Sequence, residues 1–238
     1  DNGVVSGYPL RRRIATVDRE AARGALDFEV PRERRVVFVF GGSQGARTIN
    51  RAIVDALSEL LPYRDRLFVI HGTGLERPGY KGAEDVSRRL EATYSDDERR
   101  AIASFYVNRP YFYQIENVYA LADLVVARAG AGSLYEIASL GLPAIVIPKA
   151  NLPGDHQVMN ARAIARGGGA RVIYEETLAA GGEIVEQVDG RLLGRTIVEL
   201  LEDDEQRLEL GRRGRAFLRG DALGIITAGI RDQGSGIR

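Results

Sequence analysis

Two glycine-bearing turns carry the residue types best suited to ligand chemistry. They are Phe40-Gly41-Gly42-Ser43-Gln44-Gly45-Ala46 and Arg128-Ala129-Gly130-Ala131-Gly132-Ser133-Leu134-Tyr135-Glu136. Each follows a short apolar run and opens a helical pattern. Small residues there let a backbone approach a ligand, and the first amides of a helix attract phosphate through N–H groups and the helix dipole. A tight turn with Ser43 as a simple N-cap uses the same residues without any ligand. In the second turn Ser133 and Glu136 have the S-x-x-E spacing of a capping box, which satisfies two orphan amides by itself. The alternative sets Glu136 at a pocket mouth, where its carboxylate can accept both hydroxyls of a ribose. The turns are read as two walls of one phosphate-and-ribose pocket, because strand-to-helix turns gather at the carboxyl ends of a parallel sheet.

Other polar residues carry the same two readings. Asp155 is the expected cap of a helix from His156 to Arg166. On that helix His156, Gln157 and Asn160 share one face by i+3 and i+4 spacing, opposite apolar Met159. They form either a solvated stripe or a face that reads a ligand. Arg11 could clamp a diphosphate bidentately, or be one more surface arginine among three neighbours. His71 falls on the ligand edge, with a structural hydrogen bond as its plainer role. Asp96-Asp97 and Asp203-Asp204 read as solvated pairs in charged segments.

Several chemistries find no support. The glycines are not spaced G-x-G-x-x-G, and the next strand ends in His71-Gly72 rather than in an acidic residue, against a dinucleotide site. There is no G-K-[ST], no D-x-D, no H-E-x-x-H and no Ser/His/Asp order. No metal site, hydrolase triad or cofactor is therefore expected, and no catalytic residue is assigned. Lysine plus arginine equal aspartate plus glutamate at 33 each, so no charge excess points to nucleic acid. The absence of cysteine excludes disulfides and thiolate metal sites. No apolar run reaches the ~18 residues of a spanning helix, and no signal-peptide pattern opens the sequence. It begins at Asp1 rather than methionine, which suggests a piece of a longer protein.

The elements that must hold these groups alternate. Val36–Phe40, Leu67–Ile70, Phe105–Val107, Leu124–Ala127, Pro143–Pro148 and Ala170–Tyr174 read as strands. Helices are expected from Thr16 or Asp18 to about Leu26, over Ala46–Leu61, through about Tyr94, near Asp96–Ala101, up to Ala122, and from about Ser133. Helices are also expected at 156–166 and roughly at 187–201, 203–219 and 221–230, with His71–Gly74 and Glu76–Lys81 as loops. Apolar residues at 49, 53, 56, 57 and 60 give the second of these its buried stripe. This alternation specifies one α/β domain over residues 1–238, a doubly wound, mostly parallel, Rossmann-like sheet with helices on both faces.

Taken together and in order, these residues resemble the C-terminal, nucleotide-sugar-binding half of the MurG family of UDP-N-acetylglucosamine transferases, which have the two-domain GT-B fold. The resemblance rests on Ser6-Gly7-Tyr8-Pro9-Leu10-Arg11, Gly41–Arg47, Ala122-Asp123 and Arg128-Ala129-Gly130-Ala131. It continues through Glu136-Ile137-Ala138, Gly141-Leu142-Pro143-Ala144, Asp155-His156-Gln157 and Asn160-Ala161. It implies that Arg11, Gly42, Ser43 and Gln44 meet the diphosphate of UDP-N-acetylglucosamine, with Gly132 and Ser133 beside the phosphates. It implies that Phe112 and Ile115 hold the uracil, Glu136 the ribose hydroxyls, and His156, Gln157 and Asn160 the donor sugar. Departures are Tyr8 in place of the family's usual asparagine, Gly132 in place of a bulkier residue, and a longer segment over 75–104.

The resemblance further implies an inverting, metal-independent hexosyltransferase of peptidoglycan synthesis, with residues 1–13 as an interdomain entry segment. The family's N-terminal half, with its glycine-rich loop, is absent from this sequence; in the family that half carries the general base, the membrane contact and the recognition of a lipid-linked muramyl-peptide acceptor. Either one longer chain or a partner subunit would supply it, in the cytoplasm at the inner face of the cell membrane. A UDP-sugar epimerase or hydrolase of the same fold, and a non-catalytic nucleotide-sugar-binding subunit, are the alternatives.

Overall fold

The computed structural model describes residues 14, 16–149, 156–180 and 183–218. The expectations for Arg11, residues 1–13, the Asp155 cap and the helix at 221–230 lie outside them. Asp18 caps α1 (Arg19–Gly24), its carboxylate accepting the amides of Glu20 and Ala21. The chain then alternates as expected through β1 (Arg35–Phe40), α2 (Arg47–Leu60), β2 (Leu67–Gly72), α3 (Gly82–Thr93), α4 (Asp96–Ala103) and β3 (Tyr106–Arg109). It continues with α5 (Ile115–Leu121), β4 (Leu124–Arg128), α6 (Ala131–Leu140), β5 (Ala144–Ile147), α7 (His156–Arg166) and β6 (Arg171–Val172). An antiparallel hairpin, β7 (Glu176–Ala180) and β8 (Glu183–Gln187), precedes α8 (Gly190–Glu202) and α9 (Asp204–Phe217).

Six strands form one parallel sheet in the order β3-β2-β1-β4-β5-β6. The chain winds outward from β1 to β3, then returns beside β1 with β4 and winds the other way. The gap between the ends of β1 and β4 is therefore the point where a doubly wound sheet opens a crevice for ligands.

Both faces of the sheet are covered, which is why the strands read as near-continuous apolar runs. Val37 and Val39 of β1 join one cluster with Ile49, Ile53, Leu57 and Leu60 of α2 and Leu193 and Ile197 of α8. Val36, Phe38 and Phe40 point to the other face, with Val118 and Leu121 of α5, Ile137 of α6 and Ile164 of α7. Each such fully buried side chain contributes on the order of 1.5–3 kcal/mol before conformational entropy is charged against it. Residues 75–104 hold α3 and α4, pinned to α2 by the Tyr94 hydroxyl, which donates to the Val54 carbonyl (2.7 Å).

Three boundaries differ from expectation. β2 runs through His71 and Gly72, paired with Val39 and Phe40, so the first half of the expected 71–74 loop is strand and the loop begins at Thr73. The helix after the first glycine turn starts at Arg47, with Ala46 as its N-cap, so Ser43 caps nothing. The helix after β4 starts at Ala131, with Gly130 as N-cap and no side-chain cap. Ser133 and Glu136 thus lie inside α6 and form no capping box. The box is made instead by Ser95 and Glu98 at the start of α4. The hairpin was not anticipated, although the Gly181-Gly182 pair between its strands is a two-residue turn signal.

Candidate functional site

The ends of β1 and β4 deliver the two glycine turns side by side at the crevice. After β1, Gly42 (φ +88°) and Gly45 (φ +67°) adopt the left-handed backbone that L residues rarely enter. Ser43 and Gln44 occupy the tip between them, exposed, and the Gly45 amide donates back to the Gly42 carbonyl (3.0 Å). The turn is braced from behind. A Cβ on Gly45 would lie 2.0 Å from the Thr73 carbonyl oxygen, and one on Gly74 would lie 2.1 Å from the Gly45 nitrogen. The Leu75 amide also donates to the Ser43 carbonyl (2.9 Å).

Between this turn, the β3–α5 loop and the first turns of α6 lies a cleft of about 160 Å³. Gly42, Ser43, Phe112, Ile115, Ser133 and Glu136 all line it, over a floor of Phe38 and Phe40. Six expected site residues are thereby brought together. Phe112 stands edge-on to Phe38, with ring centroids 5.9 Å apart and planes at 82°. A flat apolar wall with main-chain groups beside it suits a planar base. Glu136 faces it from the second turn of α6, and its Oε2 accepts the Tyr119 hydroxyl at 3.1 Å. Burial and the adjacent carboxylate raise the Tyr119 phenol well above its ordinary pKa, so it remains a donor and fixes the Glu136 rotamer. Tyr119 was missed. Its signal was the i+4 step from Ile115, which sets both on one face of α5.

The other expected residues do not line this cleft. Gln44 is exposed at the turn tip, and Gly132 lies half-buried in the first turn of α6. The α7 stripe divides. His156 is exposed, whereas Gln157 Oε1 accepts the Lys149 amide (3.0 Å) and Asn160 Nδ2 donates to the Ala129 carbonyl (3.1 Å). Gln157 and Asn160 therefore hold the loop after β5 and the turn after β4. Met159 faces solvent, 61% exposed, and Ala161 and Ile164 are the buried residues of this helix.

His71 is wholly buried and structural. Its Nδ1 lies 2.7 Å from the Tyr106 hydroxyl and its Nε2 lies 3.1 Å from Asn50 Oδ1. Asn50 Nδ2 donates to the Thr73 carbonyl and the Tyr80 hydroxyl, both at 2.8 Å. With the Tyr106 phenol kept protonated by burial, Tyr106 donates to Nδ1 and a neutral ring donates from Nε2. Burial lowers the His71 pKa to about 3. This chain of bonds ends at Thr73, the residue against which Gly45 packs.

A second buried polar group ends β4. Arg128 Nη2 donates to Glu175 Oε1 (2.5 Å) and to the Thr48 hydroxyl (2.6 Å), and Nη1 donates to the Ile147 carbonyl (3.3 Å). Burial pulls the guanidinium below its ordinary pKa, an effect the Glu175 carboxylate opposes. Nothing in the spacing of residues 48, 128 and 175 signals this group. Asp96 and Asp97 are exposed, as expected, and among the described residues no three acidic or histidine side chains gather as a metal site would require.

The chain matches the family model described as the glycosyltransferase family 28 C-terminal domain over residues 36–199. A protein of Halothermothrix orenii, named UDP-N-acetylglucosamine–N-acetylmuramyl-(pentapeptide) pyrophosphoryl-undecaprenol N-acetylglucosamine transferase, is 33% identical over 226 residues, covering 93% of this chain and 55% of the relative. A protein of the same name from Acidothermus cellulolyticus is 34% identical over 227 residues, covering 93% and 54%. The chain thus spans about half the length of these curated relatives. Among solved structures, that of Acinetobacter baumannii MurG superposes with a TM-score of 0.62 at 20% identity, covering 92% of this chain and 55% of the other. At that identity the likeness speaks for the fold alone.

Proposed function

Because the chain belongs to the family of glycosyltransferase family 28 C-terminal domains, we propose that it is the donor-binding half of a hexosyltransferase that takes N-acetylglucosamine from UDP-N-acetylglucosamine. The observation that carries this reading is the cleft at the β1/β4 crevice, where the first glycine turn, an aromatic wall and Glu136 converge. In this reading Phe112 and Ile115 flank the uracil, and Glu136, aligned by Tyr119, accepts the ribose hydroxyls. Gly42, Ser43, Gln44, Gly132 and Ser133 offer amides and hydroxyls to the diphosphate, and Arg11 adds a guanidinium. His156 faces the sugar, with Gln157 and Asn160 holding the loops around it.

The chemistry follows from the charge that develops. An acceptor hydroxyl attacks the anomeric carbon with inversion through an oxocarbenium-like state, while UDP departs with growing negative charge on its β-phosphate. Fixed amides of the first turn and of the α6 N-terminus stabilise that charge without reorganisation, and no metal is required of them. The general base and the acceptor surface belong to a second half, in the same chain or a partner subunit. Residues 1–238 form one domain in this reading, with 1–13 as the entry segment. The relatives' name includes a pyrophosphoryl-undecaprenol acceptor, which supports transfer to a lipid-linked muramyl-peptide of peptidoglycan. A lipid acceptor also supports a place at the cytoplasmic membrane face, held peripherally. Among the described residues no helix is long and apolar enough to cross a membrane.

Titration of the 238-residue chain with UDP, UDP-N-acetylglucosamine, GDP and ADP tests the reading. Uridine-specific binding without sugar transfer is expected. Equal binding of all four, or transfer by this chain alone, contradicts it.

A further inference from the structure

The Arg128 group lies outside the cleft, yet it joins the elements that carry both cleft walls. Arg128 is the last residue of β4, two before Gly130, the N-cap of α6. Thr48 is the second residue of α2, two after Ala46, where the first glycine turn ends. The Thr48 hydroxyl accepts from Arg128 Nη2 at 2.6 Å and donates to Glu175 Oε1 at 2.5 Å. One guanidinium and one carboxylate thus connect the start of α2, the ends of β4 and β5, and the segment ahead of the β7–β8 hairpin. Lys149 Nζ adds a second cation 3.7 Å from Glu175 Oε2.

Stability is a poor explanation for this arrangement. The Glu175 side chain is fully withdrawn from water and that of Arg128 is 10% exposed. Desolvating such a pair costs about as much as its attraction returns, and an apolar replacement of similar volume is often equally stable. What the pair supplies is direction. The bracing of the first turn by Thr73, Gly74 and Leu75 comes from the β2 side and does not act on the distance from α2 to the end of β4. A planar fork with three directed bonds does fix it.

We propose that Arg128, with Glu175 and Thr48, is a positioning strut that holds the two glycine turns at the separation a nucleotide diphosphate requires. The inference rests on the proposed nucleotide cleft and deepens it. Arg128 touches no ligand. It acts by setting the first turn of α2 against the first turn of α6, while the aromatic wall on the β3–α5 loop stands apart from it.

The test is calorimetric titration of UDP and of uridine into the 238-residue chain and its Thr48→Val and Arg128→Lys variants, with thermal melts alongside. Thr48→Val removes the tie to α2 but leaves the buried pair intact, so it decides the matter if Arg128→Lys does not fold. Both variants are expected to bind UDP roughly three- to thirtyfold more weakly, with uridine affinity unchanged within about twofold. A folded Thr48→Val chain that binds UDP as tightly as wild type overturns the strut, as does an equal loss of UDP and uridine. A wild-type chain that prefers UDP no more than uridine overturns the cleft reading itself, before any variant is compared.

Discussion

Two regions at the β1/β4 crevice use polar residues in opposite ways. Where the first glycine turn, the β3–α5 loop and the first turns of α6 meet, Ser43, Ser133 and Glu136 line an open cleft over an aromatic floor. On the β4–β5 side, Arg128, Lys149, Gln157 and Asn160 are all engaged with the protein's own carbonyls, amides and carboxylates. Both regions sit at the carboxyl edge of the sheet, where ligands are expected. Position on that edge therefore does not separate groups that receive a ligand from groups that hold the receiver in shape; the hydrogen-bond partners do. We propose that the open cleft is the nucleotide receptacle, and that the engaged groups, together with the buried His71 network behind the first glycine turn, are its frame.

Mutations in each region test this contrast. The largest effect is expected for Glu136→Ala, which deletes the proposed ribose acceptor. Two charge-assisted hydrogen bonds at about 1.5–3 kcal/mol each predict a loss of UDP affinity of about a hundredfold or more in titration calorimetry. Next comes Gly45→Ala, whose Cβ would meet the Thr73 carbonyl oxygen at 2.0 Å with φ at +67°. A destabilisation of about 2–3 kcal/mol in urea unfolding is expected. Gly42→Ala, with φ at +88° but nothing within 4 Å, should cost about 1 kcal/mol by the same measure.

The frame also predicts a pH dependence. His71 has its pKa lowered from 6.5 to about 3 by burial, so below pH 6.5 the unfolded chain takes up a proton that the folded chain refuses. The stabilisation is complete above that pH and declines toward pH 3, by up to about 1.4 kcal/mol per unit. Urea midpoints at pH 7 and pH 5 check this, and His71→Gln should flatten the difference. Phe112→Ala is expected to weaken uridine and UDP alike by about tenfold, the scale of one lost stacking face. The smallest effect belongs to His156→Ala. It should leave UDP affinity within about threefold while reducing the preference for UDP-N-acetylglucosamine over UDP, because His156 is exposed at the start of α7.

The sheet was legible because a doubly wound core buries both faces of each strand, leaving β-branched and aromatic runs such as Val36–Phe40. Of the cleft residues, those of the first glycine turn were legible from the strand end that announces them, whereas Glu136 has the local spacing of a capping box and only the ordered family resemblance sets it at the pocket. Helix starts were less so. Ser133 and Glu136 carry the spacing of a capping box, but the strand before them ends at Arg128 and Gly130 already turns the chain into α6. Ser43 has a cap's chemistry, yet the interlock of Gly45 with Gly74 delays α2 to Arg47. The frame was largely hidden. His71 with Tyr106, and Arg128 with Glu175, are contacts across 35 and 47 residues that no local period encodes.

We propose that the cleft at the β1/β4 crevice holds a uridine nucleotide whose ribose hydroxyls are accepted by Glu136. Titrating UDP and 2′-deoxy-UDP into wild type and Glu136→Ala tests it most directly. Wild type is expected to favour UDP by about tenfold or more, and the variant to bind both weakly and without preference. Equal affinity of wild type for the two nucleotides, or a variant that still favours UDP, contradicts the account.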